Sequence, residues 1–180
     1  NVVASVLLLA TFAVLGQSLI REAAPLDYLL LALSGIVGIA VSDTLFFSAL
    51  NIVGAGPSQI VSLSYSPFVI FFSSIFLGER LTLGDIGGAC LILLGIFLTS
   101  TRHKGHRVTT SEMHRGIGLA TLSVALMALG VVLAKPVLDR SPVLWATTIR
   151  LLGGVLSMML ITAISPRRRT AWRSLVPSSA

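Results

Sequence analysis

Two ionisable side chains, Asp43 and Arg150, fall inside long apolar stretches of this sequence. A charge carried into hydrocarbon costs roughly 2.5–3.5 kcal/mol on insertion scales, so such residues are functional candidates by default. A carboxyl at Asp43, held away from water, is suited to taking and releasing protons or to contacting a polar substrate. The alternative is a structural Asp tying its neighbours Ser42 and Thr44 by hydrogen bonds. For Arg150 the reading is structural: a long side chain that caps carbonyls or snorkels. Both helices begin at the same membrane face. At the helical rise the two residues sit about 22 Å and about 12 Å from it, which argues against a direct ion pair.

A second group lies between them. Ser58, Ser62 and Ser66 recur at four-residue steps, Tyr65 and Ser73 fall on the same side, and Gln59 flanks the stripe. Pro67 has no N–H, so the carbonyl of Leu63 loses its usual helical donor. At membrane depth an opened carbonyl is tolerated where it faces protein or a watery cavity. Ser62, Tyr65 and Ser66 are therefore candidates for a cavity wall. The same residues would serve close helix packing through small side chains and hydroxyls, and both readings stand.

Other chemistry has little to work with. There is no metalloprotease, serine-hydrolase, Walker or dinucleotide motif, and seven Asp and Glu leave few carboxylate pairs. Cys90, the only cysteine, sits in an apolar run and reads as a small hydrophobe. His103, His106 and His114 share one segment, where only Glu112 offers a further metal ligand. Neither a metal nor a cofactor is expected.

The elements that must position these residues are membrane helices. The chain is 54% hydrophobic and only 11% charged, too few charges for a soluble surface, and mean hydropathy is +0.94. Apolar runs of spanning length cover about 2–20, 28–50, 57–77, 86–100, 116–138 and 143–164. The fourth, the shortest, is expected to extend back toward Thr82. The fold class is thus all-α, a polytopic bundle of about six spans. Most connections are short, such as 51–56 with its glycines before Pro57 and 140–143 around Pro142. The longer, basic 101–115 segment reads as a hinge between two halves. Small residues step by four at Ser34, Gly38 and Ser42, at Gly84 and Gly88, and at Gly130 and Ala134, and predict close helix approach.

The formal net charge of +6 does not point to nucleic acid. Eight of the thirteen Lys and Arg form two clusters, 102–115 and 167–173, each directly after an apolar helix, and no aromatics interleave them to stack bases. Basic residues at helix ends set orientation, and this count places the 101–115 loop in the cytoplasm.

The stretch 42–100 resembles the end of a repeat of the EamA-type branch of the drug/metabolite transporter superfamily. The features that carry the likeness are the SDTLFF opening at Ser42 and a helix ending at Ala49 and Leu50. A turn at Gly54, Ala55 and Gly56 follows, then a helix with Pro67 inside it. Leu77, Gly78 and Glu79 form the next box, and a last helix carries Gly87 through Gly95. From Gly116 the chain resembles the start of a second repeat, with Lys135 and Pro136 at the end of one helix, and Pro142 and Arg150 in the next. The resemblance implies residues 1–101 as four helices of a first repeat, 102–115 as the loop between repeats, and 116–165 as two helices of a second. Residues 166–180 would be a basic, polar tail. The chain would then be part of a ten-helix transporter with inverted repeats around a central cavity.

On that resemblance Asp43, Ser62, Tyr65, Ser66 and Lys135 are the expected cavity or substrate residues, with Pro67, Glu79 and Arg150 structural. The expected function is secondary transport, in the outward direction, of a small metabolite, amino acid or drug across the plasma membrane. The expected partners are the lipid bilayer, a small-molecule substrate, protons for coupling, and a second copy in a homodimer, with no nucleic acid. A channel or assembly subunit, or an intramembrane enzyme, is the alternative. The family's usual placement, with both termini inside, would put the 101–115 loop outside, against the charge count, and orientation stays open.

Overall fold

The computed structural model describes residues 24–100 and 109–164. The first expected span, 2–20, and the basic tail lie outside the described residues, as do His103 and His106. Every regular element within them is helical.

Helix α1, Pro25–Val53, contains a π-helical stretch at Ile36–Val41. It starts where Pro25 occupies the first helical turn, the place where a missing N–H costs nothing. It stops at Gly54, whose φ of +82° turns the chain in one residue. The expected 51–56 turn is therefore much tighter than its composition suggested. The helix continues through Asn51–Val53 and the next begins at Ala55, with Pro57 in its first turn.

Helix α2, Ala55–Phe76, is interrupted at Leu63 and Ser64. Helix α3, Leu83–Ser100, starts behind Thr82, whose N–H and hydroxyl bond the Asp85 carboxylate at 2.9 and 2.7 Å. Helix α4, Thr110–Leu138, begins six residues before the expected 116 (116 − 110 = 6). The cause is a capping box: the Thr109 hydroxyl accepts from the Glu112 N–H while the Glu112 carboxylate accepts from Thr109 N–H. Helix α5 is Val143–Ile164. Four of these helices are long and apolar enough to cross a membrane, and α3 contributes a shorter apolar stretch, Leu83–Leu98.

Helix α4 is the axis on which α1 and both halves of α2 pack, while α5 docks mainly on α1. The α1–α4 contact is an antiparallel seam of small residues. Gly38 meets Gly130, where a Cβ on Gly130 would lie 2.6 Å from Gly38 Cα and 2.8 Å from the Ser34 carbonyl oxygen. Further along, Ser42 and Ser123 exchange hydrogen bonds reciprocally, each hydroxyl donating to the other's carbonyl at 3.0 and 2.9 Å. At the far end Gly116 admits Val53, whose side chain would meet a Cβ there at 2.2 Å.

The α1–α5 contact uses the same device: Gly35 lies against the Arg150 carbonyl and Gly153 against Ala32. Near the start of both helices Leu31, Ala134, Val137, Trp145 and Ala146 form a buried cluster, and Tyr28 meets Trp145 edge-on with centroids 5.1 Å apart. The Ser34–Gly38–Ser42 and Gly130–Ala134 rows thus pack as expected. Gly84 and Gly88 do not: among the described residues no other helix approaches either. Large apolar side chains such as Phe71, Leu91, Phe97 and Leu156 point outward, as lipid-facing helices require.

The seam makes a direct prediction. Gly130→Ala should cost about 1–3 kcal/mol through overpacking against the α1 backbone. Gly118→Ala, in the same helix with open space around it, should be neutral or mildly stabilising. Melting temperatures of the two variants in detergent decide it; equal behaviour would mean that the seam is not tight.

Candidate functional site

The break in α2 follows from Pro67. Its ring crowds the carbonyl four residues back, at Leu63, and it offers that carbonyl no donor. The chain responds by tightening: Leu63 N–H bonds Ile60 O at 3.3 Å and Ser64 N–H bonds Val61 O at 3.0 Å, before Phe68 N–H resumes on Ser64 O. The serines turn their hydroxyls onto the local backbone, Ser62 to Gln59 O at 2.7 Å and Ser64 to Val61 O at 2.6 Å.

The tightened turn also splits the polar stripe. Ser58 and Ser73 are buried, Ser62 and Tyr65 half-buried, and Ser66 exposed. A four-residue step marks one helix face only while the twist is constant, and at Leu63–Ser64 it is not.

Asp43 lies two residues beyond the π-helical stretch and is half-buried. Its neighbour Ser42 is locked onto Ser123. Thr44 donates to Ala40 O at 2.7 Å and Ser48 to Thr44 O at 2.8 Å, so the hydroxyls beside Asp43 are also occupied by backbone. The π stretch is a functional feature in many helices. No residue type within Ile36–Val41 announces it.

Arg150 enters from α5. One of its terminal nitrogens would stand 3.3 Å from a Cβ on Gly38, and the guanidinium lies within electrostatic reach of Tyr65. Its Nε is buried and has no hydrogen-bond partner. So the structure brings Tyr65 and Arg150 into one neighbourhood, a pairing the sequence spacing did not suggest.

Lys135 and Glu79 are elsewhere. They form an ion pair with each other, tying the turn after α2 to the end of α4. Glu79 keeps the structural place expected of it near a helix end. Lys135 sits toward the end of α4, away from the serines of mid-α2. A second ion pair joins Arg140, in the α4–α5 turn, to Asp27 in the first turn of α1. Asp27 was not singled out by sequence. Its signal was slight: an acid just after a helix-starting proline, where the helix dipole favours it.

A cavity of about 510 Å³ lies between α2, α3 and α4. Its wall is mostly apolar, with Ile60, Phe68, Ile96 and Ile117 around Ser64 and Thr121. None of Asp43, Ser62, Tyr65, Ser66 or Lys135 lines it. Among the described residues no group of His, Cys, Asp and Glu is placed to hold a metal ion.

The stripe can be probed with cysteines in a background where the exposed Cys90 is replaced by Ser. In the intact protein, cysteines at 62, 65 and 66 should react with a water-soluble thiol reagent, whereas cysteines at the buried positions 58 and 73 should not. Labelling of 62, 65 and 66 only by a lipid-soluble reagent would place the stripe against lipid.

Compared with known proteins, residues 1–101 match the EamA-like transporter family. No curated protein and no solved structure matches the chain. The match covers more than half of the sequence, and it ends just past α3, on the helices that carry Asp43 and the broken serine stripe. With its apolar helices of spanning length, the chain is a multi-pass membrane protein that belongs to the EamA-like transporter family.

Proposed function

We propose that this protein is a secondary transporter whose substrate passes the middle of α1 and α2, beside Asp43, Ser62, Tyr65 and Ser66. The observation that carries this is a match in depth. The π stretch of α1 begins eleven residues after Pro25, and the break of α2 lies twelve to thirteen residues before Phe76. These two ends lie on one face, so both irregularities sit about 17–24 Å from it, near the membrane's middle. Irregular backbone at that depth needs protein or a water-filled cavity beside it, and broken helices at mid-membrane are where secondary transporters hold solutes and ions.

The substrate class is a small metabolite, amino acid or drug, and the direction proposed is outward across the plasma membrane. Residues 1–101 hold four helices of the first repeat and 116–165 two helices of the second; the end of the family match at 101 supports that division. Lys135, held by Glu79, is the weakest member of the proposed path.

The coupling ion proposed is the proton, carried by Asp43. Asp43→Asn keeps shape and hydrogen bonding but cannot titrate. In proteoliposomes of the intact protein this variant should lose transport driven by a pH gradient while expression and substrate exchange survive. Gradient-driven transport that persists with unchanged pH dependence would make Asp43 a structural polar residue. Passive, non-saturable flux in the wild type would favour a channel.

A further inference from the structure

Arg150 carries a positive charge that the described protein does not answer. It is the eighth residue of α5, about 11 Å from the face where that helix begins. Its side chain runs on over Gly38, which is about 20 Å along α1 from the same face. There the two glycines Gly38 and Gly130 face each other; a Cβ on Gly38 would press on Gly130 Cα at 3.1 Å and on the guanidinium at 3.3 Å. A terminal nitrogen of Arg150 thus lies against the bare face of Gly38, and the guanidinium is within electrostatic reach of Tyr65, beside the break of α2.

A guanidinium stays charged at any physiological pH. Among the described residues no ion pair joins it to a carboxylate; Asp27 pairs with Arg140 and Glu79 with Lys135. Its buried Nε has no hydrogen-bond partner, so the carbonyls around it do not satisfy the guanidinium in full. The Ser34 hydroxyl, fully buried one turn before Gly38 on α1, is a second polar atom without a partner. A buried N–H left open costs free energy that an arriving acceptor returns. The side chain as a whole is half-buried, so its terminal nitrogens can be reached.

We propose that Arg150 is the receptor for an oxyanion, a carboxylate or phosphate group, on the transported solute, with the Tyr65 hydroxyl as a second donor. The proposal rests on the transport reading above and narrows it to anionic or zwitterionic solutes. The planar fork of arginine suits this, because it gives an oxyanion two parallel hydrogen bonds. Gly38 makes room for the guanidinium: a side chain there would press on the terminal nitrogen of Arg150 as well as on Gly130.

The test is the melting temperature of the purified full-length protein in detergent, with acetate, benzoate or inorganic phosphate compared with chloride at equal ionic strength. At least one of the oxyanions should stabilise the wild type. Arg150→Gln should abolish that response. Arg150→Lys should keep it with about tenfold weaker apparent affinity, since charge remains and the fork is lost. Tyr65→Phe should weaken it without abolishing it. The preference between acetate and phosphate identifies the oxyanion.

No oxyanion effect in the wild type, or a full effect in Arg150→Gln, overturns the proposal. Should the Gln variant fail to fold, unchanged affinity in both Arg150→Lys and Tyr65→Phe overturns it equally. Uptake of the stabilising radiolabelled anion into proteoliposomes separates the two readings. Binding without uptake keeps the oxyanion site and removes transport. Uptake of uncharged solutes that ignores Arg150→Gln keeps transport and removes the site.

Discussion

The close approach of α1 to α4 is the constraint on which the rest of the bundle depends. In a bilayer the hydrophobic effect does not drive one apolar helix onto another, because lipid tails are as apolar as leucine. Association has to come from packing and from polar contacts. Here it comes from Gly38 against Gly130, the reciprocal Ser42–Ser123 pair, and Val53 seated over Gly116. These contacts run from Gly38 to Val53 on α1 and from Gly130 to Gly116 on α4, and so they fix register as well as distance. With α1 set on α4, the α1 face bearing Gly35 and Ala32 is presented to α5, which docks there through Gly153 and Gly154.

The same seam determines where polar chemistry can sit. Serines on it are engaged by the contact: Ser42 and Ser123 each spend their hydroxyl donor on the other's carbonyl. Arg150 reaches the edge of the seam only where Gly38, lacking a side chain, leaves room for one of its terminal nitrogens. The ion pairs at the face where α1 begins, Asp27–Arg140 and Lys135–Glu79, contribute less. Both members of the Lys135–Glu79 pair are more than a third exposed, and exposed pairs are worth about 0–1 kcal/mol. They align helix ends at the surface, whereas glycine and serine hold the helices together.

Much of the architecture was legible in the sequence, because the bilayer demands it. A run such as 28–50 has to be a helix, and the observed Pro25–Val53 differs from it only at the ends, where caps decide. The two sides of the seam were legible too, as the row Ser34, Gly38 and Ser42 and the row Gly130 and Ala134, but not that the first row faces the second. What periodicity cannot say is whether a partner exists for a row of small residues, and so Gly84 and Gly88 gave the same signal, yet among the described residues no other helix comes within 4 Å of a Cβ at either. The start of α4 was written in Thr109 and Glu112, a capping box inside a segment whose charge drew attention to orientation instead. For the candidate site, Pro67 located the break, but Ser62, Tyr65 and Ser66 were projected on an unbroken wheel. The tightened turn at Leu63–Ser64 alters the twist between Ser62 and Ser66, and Ser66 is exposed while Ser58, before the break, is buried. The π stretch had no local signature at all, and with it went the chance of placing Arg150 near Tyr65.

One asymmetry ties these observations to movement of a solute. Helix α4 runs unbroken for 29 residues, with its only proline, Pro136, in the last turn. The two helices packed on it, α1 and α2, each lose regular hydrogen bonding at the same depth. A π turn and a proline break are positions where a helix can change direction without giving up the ladder elsewhere. A straight helix flanked by two jointed ones forms a rigid reference against which the halves of its neighbours can tilt. The joints coincide in depth with Gly38, Tyr65 and the Arg150 guanidinium. Tilting at the joints would therefore alter the surroundings of the charge while the Ser42–Ser123 contact, beyond the π stretch, holds the upper half of α1 in place. A buried cation whose environment depends on the angle of two helices is the physical means by which binding of an oxyanion can favour one arrangement over another: a ligand shifts an equilibrium only by as much as it distinguishes the two states.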